Sequence, residues 1–85
     1  MKQDAILKLV EDVSTELEQY RETQCRKYYA EKNTEHMGDY VKLERYKNRV
    51  RVVDCFLDPL ERFLFNCGVM KVNPSEFKAQ RTQID

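Results

Sequence analysis

LERYKNRVRVVDCFLDPLERFL, residues 43–64, is the stretch that decides the fold. Within it Leu43, Tyr46, Val50, Val53, Leu57, Leu60 and Leu64 follow one another at alternating steps of three and four. That spacing keeps all seven on one side of an α-helix, and a seam sustained over three heptads is a signature of helix pairing. Pro59 falls inside the run. It has no amide proton and its ring crowds the preceding turn, so the sequence predicts either a kink at Pro59 or a new short helix over about 59–66. Asp58-Pro59-Leu60-Glu61 carries the residues of a helix start: a capping Asp, a Pro at the first helical position and a Glu able to close a capping box. Cys67-Gly68 reads as the stop.

Upstream, Ile6, Val10, Val13, Leu17 and Tyr20 repeat the same alternation, which predicts a first helix over about 3–33. Beyond Tyr20 the pattern degrades, with Gln24 at the next seam position and Cys25, Tyr28 and Tyr29 to one side. Asn33 to Asp39 reads as the connection: Gly38 permits a turn and Asp39 can cap the second helix, which starts at about 39. A loop this short forces the two helices to lie side by side and antiparallel. Downstream, Val69-Met70-Lys71-Val72 reads as an extended connector, and Asn73-Pro74-Ser75-Glu76 starts a last helix over about 74–83. The expectation is an all-α single domain: an antiparallel helical hairpin of two long helices, the second kinked or broken at Pro59, plus a short C-terminal helix.

Composition agrees. The 85 residues hold only two Gly and two Pro, and 35% are charged. A chain of this length makes one domain, buries only roughly 60–65% of its unfolded surface and leaves little room for an enclosed substrate cavity. Fifteen Lys plus Arg balance fifteen Asp plus Glu, which argues against a protein that is basic all over. No stretch approaches the ~18 apolar residues of a membrane span, and no signal-like core follows Met1. Three widely spaced cysteines, Cys25, Cys55 and Cys67, do not make a secreted disulfide framework; they read as small hydrophobes in a reducing cytoplasm.

The neutral total conceals an uneven distribution. All five tyrosines fall between residues 20 and 46, whereas the four phenylalanines come later. Residues 20–51 hold nine Lys or Arg and five Asp or Glu, a balance of plus four, so the remainder is minus four. The turn end of the hairpin is therefore basic and tyrosine-rich, and the opposite end apolar and acidic. Lys42, Arg45 and Arg49 form a ridge on the second helix, facing Arg26, Tyr28 and Tyr29 on the first. Arg and Tyr are the residues enriched in binding hot spots, so Arg26, Tyr28, Tyr29, Arg45, Tyr46 and Arg49 are the candidate partner-binding residues. The second helix also carries a second stripe beside its seam, Val52, Phe56 and Phe63, which a two-helix hairpin leaves uncovered. Either Val69, Met70, Val72 and Phe77 from the tail or a second protomer must cover it.

Catalytic and metal chemistry find no support in the spacing. His36, the lone histidine, sits in the turn beside Glu35 and Asp39, with no nucleophile to serve. Neither a Cys-x-x-Cys nor a paired-His spacing occurs, and the two isolated glycines make no phosphate-binding loop. No cofactor or metal is expected, and the chain does not read as an enzyme. The reading is a small interaction protein that self-associates, with a dimer favoured, and docks onto a larger protein as a regulator or inhibitor, away from membranes. The alternative is a nucleic-acid-binding regulator using the same basic end, where Lys and Arg meet phosphates and Tyr stacks on bases. A helix-turn-helix presenting Ser75, Lys78, Gln80, Arg81 and Gln83 fits less well, because the Gly68–Asn73 connector is too long.

Overall fold

The computed structural model describes residues 2–34 and 39–84, with side chains from Asp4 onward. Its elements are α1 (Lys2–Lys32), α2 (Tyr40–Asn66) and α3 (Pro74–Ala79), with no strand among the described residues. The two long helices form an antiparallel hairpin, and α3 packs on α2. His36 and Gly38, assigned by sequence to the turn, lie outside the described residues.

Local chemistry sets the element ends. Asp39 accepts hydrogen bonds from the amides of Val41 (2.9 Å) and Lys42 (3.4 Å), the capping role expected of it. Its own amide donates to Glu31 Oε1 at 2.9 Å, which ties the start of α2 to the end of α1. Pro59 neither splits nor ends α2, which runs unbroken through it. The amide that Pro59 lacks would have served the Cys55 carbonyl; both residues are exposed, so water can take that acceptor. Asp58 and Arg62 also pair across this turn at 2.9 Å. At the far end Gly68 adopts φ +78°, and the amides of Gly68 and Val69 return to the carbonyls of Phe65 and Leu64, both at 3.0 Å. This left-handed stop is the one that Cys67-Gly68 foretold. Asn73 caps α3 through the Ser75 amide at 2.9 Å, but that helix ends at Ala79 rather than near residue 83. Residues 80–84 continue as a non-helical tail.

The shape follows from the topology. Two helices side by side make one layer, and the molecule measures 54 × 23 × 15 Å. Its radius of gyration is 15.3 Å, against about 12 Å for a compact domain of this length. Such a slab has a seam between the helices and two broad faces. The α2 seam is core as expected: Val50, Val53, Leu57 and Leu64 are buried, and Leu57 is fully so.

On α1 the expectation fails. Val10 and Leu17 are half-buried, but Ile6, Val13 and Tyr20 are exposed. The helix instead buries Ser14, Arg21, Gln24, Cys25 and Tyr28, so its apolar stripe is rolled off the seam toward one face of the slab. Cross-helix polar pairs account for the roll. Arg21 Nε meets Asp54 Oδ1 at 2.7 Å, and Gln24 Oε1 accepts from Arg49 Nη1 at 3.2 Å. Both require these polar positions, not the stripe, to face α2.

Two neighbours on α2 separate core from surface. Leu57→Ala is expected to cost about 2–5 kcal/mol. Phe56, 60% exposed, is expected to change the stability of the dilute protein by less than about 0.5 kcal/mol when replaced by Ala. Thermal melts at low micromolar protein check both, and similar losses for the two would place Phe56 in the core.

Candidate interaction face

The two faces of the slab differ in kind. On one, the segment after α2 folds back over the hairpin, with α3 packed on α2 and residues 81–83 reaching across to α1. Met70, Val69 and Phe77 come together there with Ser14, Glu61 and Leu64 around a cavity of about 200 Å³. Further along, the Arg81 guanidinium ion-pairs with both Glu18 of α1 and Glu61 of α2 and lies over the Phe77 ring, 5.0 Å from its centroid. Arg21 binds Asp54 and donates from Nη1 to the Thr82 carbonyl at 2.7 Å. The Tyr29 hydroxyl donates to the Gln83 carbonyl, and the Cys25 thiol lies 3.9 Å from the Thr82 oxygen. This face is closed by an ionic clasp.

Charges this buried are held only if paired. Arg81 is 8% exposed at its side chain and Glu61 5%. Burial pushes the Glu18 carboxyl up from its ordinary value, and the Arg81 and Arg21 guanidiniums lower it only in part. A carboxyl raised on folding favours the folded state when protonated, so Glu18 withdraws stability as pH rises through its folded pKa. Burial likewise pushes the Cys25 thiol up, which keeps it protonated and unreactive.

The other face carries no clasp. Helical register puts Ile6, Leu9, Val13 and Tyr20 of α1 on the same side as Val52, Phe56 and Phe63 of α2, and all seven are exposed. The tail therefore does not cover the Val52–Phe56–Phe63 stripe, as one sequence alternative had it; the carboxylates and Arg21 draw it to the opposite groove. Toward the turn the bare face continues as an apolar groove of about 610 Å³ lined by Tyr20, Tyr40, Val41, Arg45, Arg49 and Val52, among others. An apolar strip thus runs into a basic rim formed by Arg45 and Arg49.

The candidate partner-binding residues are not gathered in one place. Arg45 and Arg49 are exposed on the rim, and Arg26 is exposed on α1. Tyr46 is half-buried on α2. Tyr28 is buried, its ring 5.1 Å from that of Tyr29 in an edge-on contact and 5.8 Å from Lys32 Nζ. Tyr29 is half-buried and committed to the tail. Arg81, one of the residues a helix-turn-helix would present, is instead engaged by Glu18 and Glu61. Sequence reasoning missed Tyr20 and Tyr40 as groove residues, along with Ile6, Leu9 and Val13 as surface. Their apolar spacing was visible, but its direction depends on Arg21 and Gln24, which no periodicity of hydrophobic residues reports.

Among the described residues no three or more of His, Cys, Asp and Glu cluster so as to hold a metal ion, and no helix is long and apolar enough to cross a membrane. Comparison of the chain with family models, curated proteins and solved structures returns no match.

The clasp has a chemical readout. Cys55 and Cys67 are exposed, whereas Cys25 lies beneath Thr82. A thiol reagent should titrate two cysteines rapidly in the native protein. Arg81→Ala should make the third reactive while far-ultraviolet circular dichroism still reports the hairpin. A Cys25 that stays protected in this variant would mean that the tail is held without Arg81.

Proposed function

We propose that this chain is a non-enzymatic interaction module that self-associates and docks stoichiometrically onto a larger protein, as a regulator or inhibitor. One observation carries the reading: a slab closed on one face by its own tail leaves on the other an apolar strip that ends in a basic rim. Monomeric soluble proteins seldom leave a patch of this size bare unless it binds something. Arg45 and Arg49 beside Tyr20 and Tyr40 supply the Arg and Tyr chemistry enriched at the energetic centres of interfaces. The free thiols of Cys55 and Cys67 suit a reducing cytoplasm.

A protein partner fits the basic end better than a nucleic acid does. Stacking on bases needs aromatic rings with open faces. Tyr28 is buried and Tyr29 is engaged by the tail, and the exposed Tyr20 and Tyr40 line an apolar groove with Val41 and Val52, a surface suited to a protein's side chains. Arg26, Arg45 and Arg49 remain available to the carboxylates of an acidic protein surface.

Fluorescence anisotropy with labelled mixed-sequence DNA and RNA tests this choice. Phosphate contacts release counterions, so such binding weakens steeply between about 50 and about 200 mM salt. The expected result is no saturable complex at either salt. Tight binding at low salt that falls by orders of magnitude at high salt would transfer the basic end to nucleic acid.

A further inference from the structure

We infer that the bare face is covered by a second copy of this chain, laid face to face and head to tail, so that two hairpins close into one four-helix bundle. The inference rests on the self-association reading above and specifies its partner and geometry. Helices packed on one side only have a free apolar side, and four-helix bundles are the usual way two hairpins bury it.

Area comes first. Ile6, Leu9, Val13, Tyr20, Val52, Phe56 and Phe63 are between 37% and 62% exposed. Together they offer on the order of 600 Å² of side chain per copy, most of the about 800 Å² that each partner contributes to a standard interface. Along α1 the strip spans Ile6 to Tyr20, about 21 Å at 1.5 Å per residue. With the turn ends opposed, the outer part of each strip meets the groove lined by Tyr20, Tyr40 and Val41 of the other copy, and the two strips overlap about Phe56 and Tyr20.

Charge then selects the direction. A twofold dimer pairs the same patch with itself, and two hairpins can meet with turn ends together or opposed. Setting aside Arg21 and Glu18, which the clasp takes up, residues 20–51 at the turn end carry a balance of plus three, and residues 1–19 at the other end hold two Lys against four Asp or Glu, a balance of minus two. Turn ends together would set Arg45 and Arg49 of one copy near those of the next. Opposed ends set each basic rim over the acidic half of the other copy, where Glu16 is exposed beside the strip. Phe56 and Tyr20 lie near mid-length, close to where the twofold axis must pass.

The full chain can be tested in two steps. Sedimentation equilibrium from low micromolar to several hundred micromolar should show a monomer–dimer equilibrium. Phe56→Glu should weaken it at least about thirtyfold, the factor carried by a central interface residue, with helical content unchanged because the side chain is exposed in the single copy. For direction, a spin label at Asn33→Cys in a Cys55→Ser, Cys67→Ser background marks the turn end, with Cys25 left buried. Opposed ends put the two labels about 45–50 Å apart, whereas turn ends together put them within about 25 Å. A dimer with the long distance supports the inference. The short distance would overturn the head-to-tail geometry and leave self-association standing. A chain that stays monomeric throughout, or a dimer indifferent to Phe56→Glu, would overturn the second copy as the occupant and leave the face to a different protein.

Discussion

Everything in this structure turns on Arg81 held between Glu18 and Glu61, with Arg21 and Asp54 alongside. Two long helices joined by a short turn have no intrinsic reason to cover one groove rather than the other. The charges supply it. Glu18 and Asp54 lie on the same side of the slab and Glu61 is nearly buried between the helices; Arg21 meets Asp54, and Arg81, brought by the tail, meets Glu18 and Glu61. Because breaking such a set leaves an unpaired charge in a place water reaches poorly, the tail is committed to that side. The backbone carbonyls of Thr82 and Gln83 then find donors in Arg21 and Tyr29, so the tail adds hydrogen bonds that a purely ionic contact would lack.

The same polar set decides what is left over. Arg21 can reach both Asp54 and the tail only if α1 turns that side toward α2, and doing so rolls Ile6, Val13 and Tyr20 outward. The α2 stripe of Val52, Phe56 and Phe63 emerges on the same side. A single chain therefore pairs its charged groups along one face and leaves much of its apolar surface in water. Burying a Phe is worth about 1.5–3 kcal/mol, so a slab with Phe56 and Phe63 open on one face has a standing thermodynamic reason to associate. Association and the clasp are in this view two outcomes of one arrangement of charges.

Much of the fold was legible in the residues. The unbroken seam from Leu43 to Leu64 named α2 and its buried side, and Asp39, Asn73 and Gly68 named the ends, since each of these is a local matter of backbone chemistry. Pro59 was read as a kink or a break; the helix does not break there, and nothing local reports that its turn faces solvent. The α1 stripe was seen but turned the wrong way. Hydrophobic spacing records which residues share a side and is silent on whether a buried arginine will claim the seam. The surface was legible in part: Val52, Phe56 and Phe63 were picked out as needing a cover, and Arg45 and Arg49 as exposed cations. Tyr28 and Tyr29 were picked out by type; the Tyr29 hydroxyl meets a tail residue more than fifty positions away, a contact that spacing cannot carry.

The central claim is that the tail closes the charged groove and leaves the apolar one bare. Side-chain nuclear Overhauser contacts of the labelled protein test it directly, and they do so whether or not two copies associate. The account predicts contacts from Thr82 to the Arg21 side chain and the Cys25 β-protons, and from Phe77 to Leu64 and Met70. Contacts from Thr82 or Phe77 to the Val52 methyls or the Phe56 ring within one chain would contradict it, because the tail would then lie on the face described here as open.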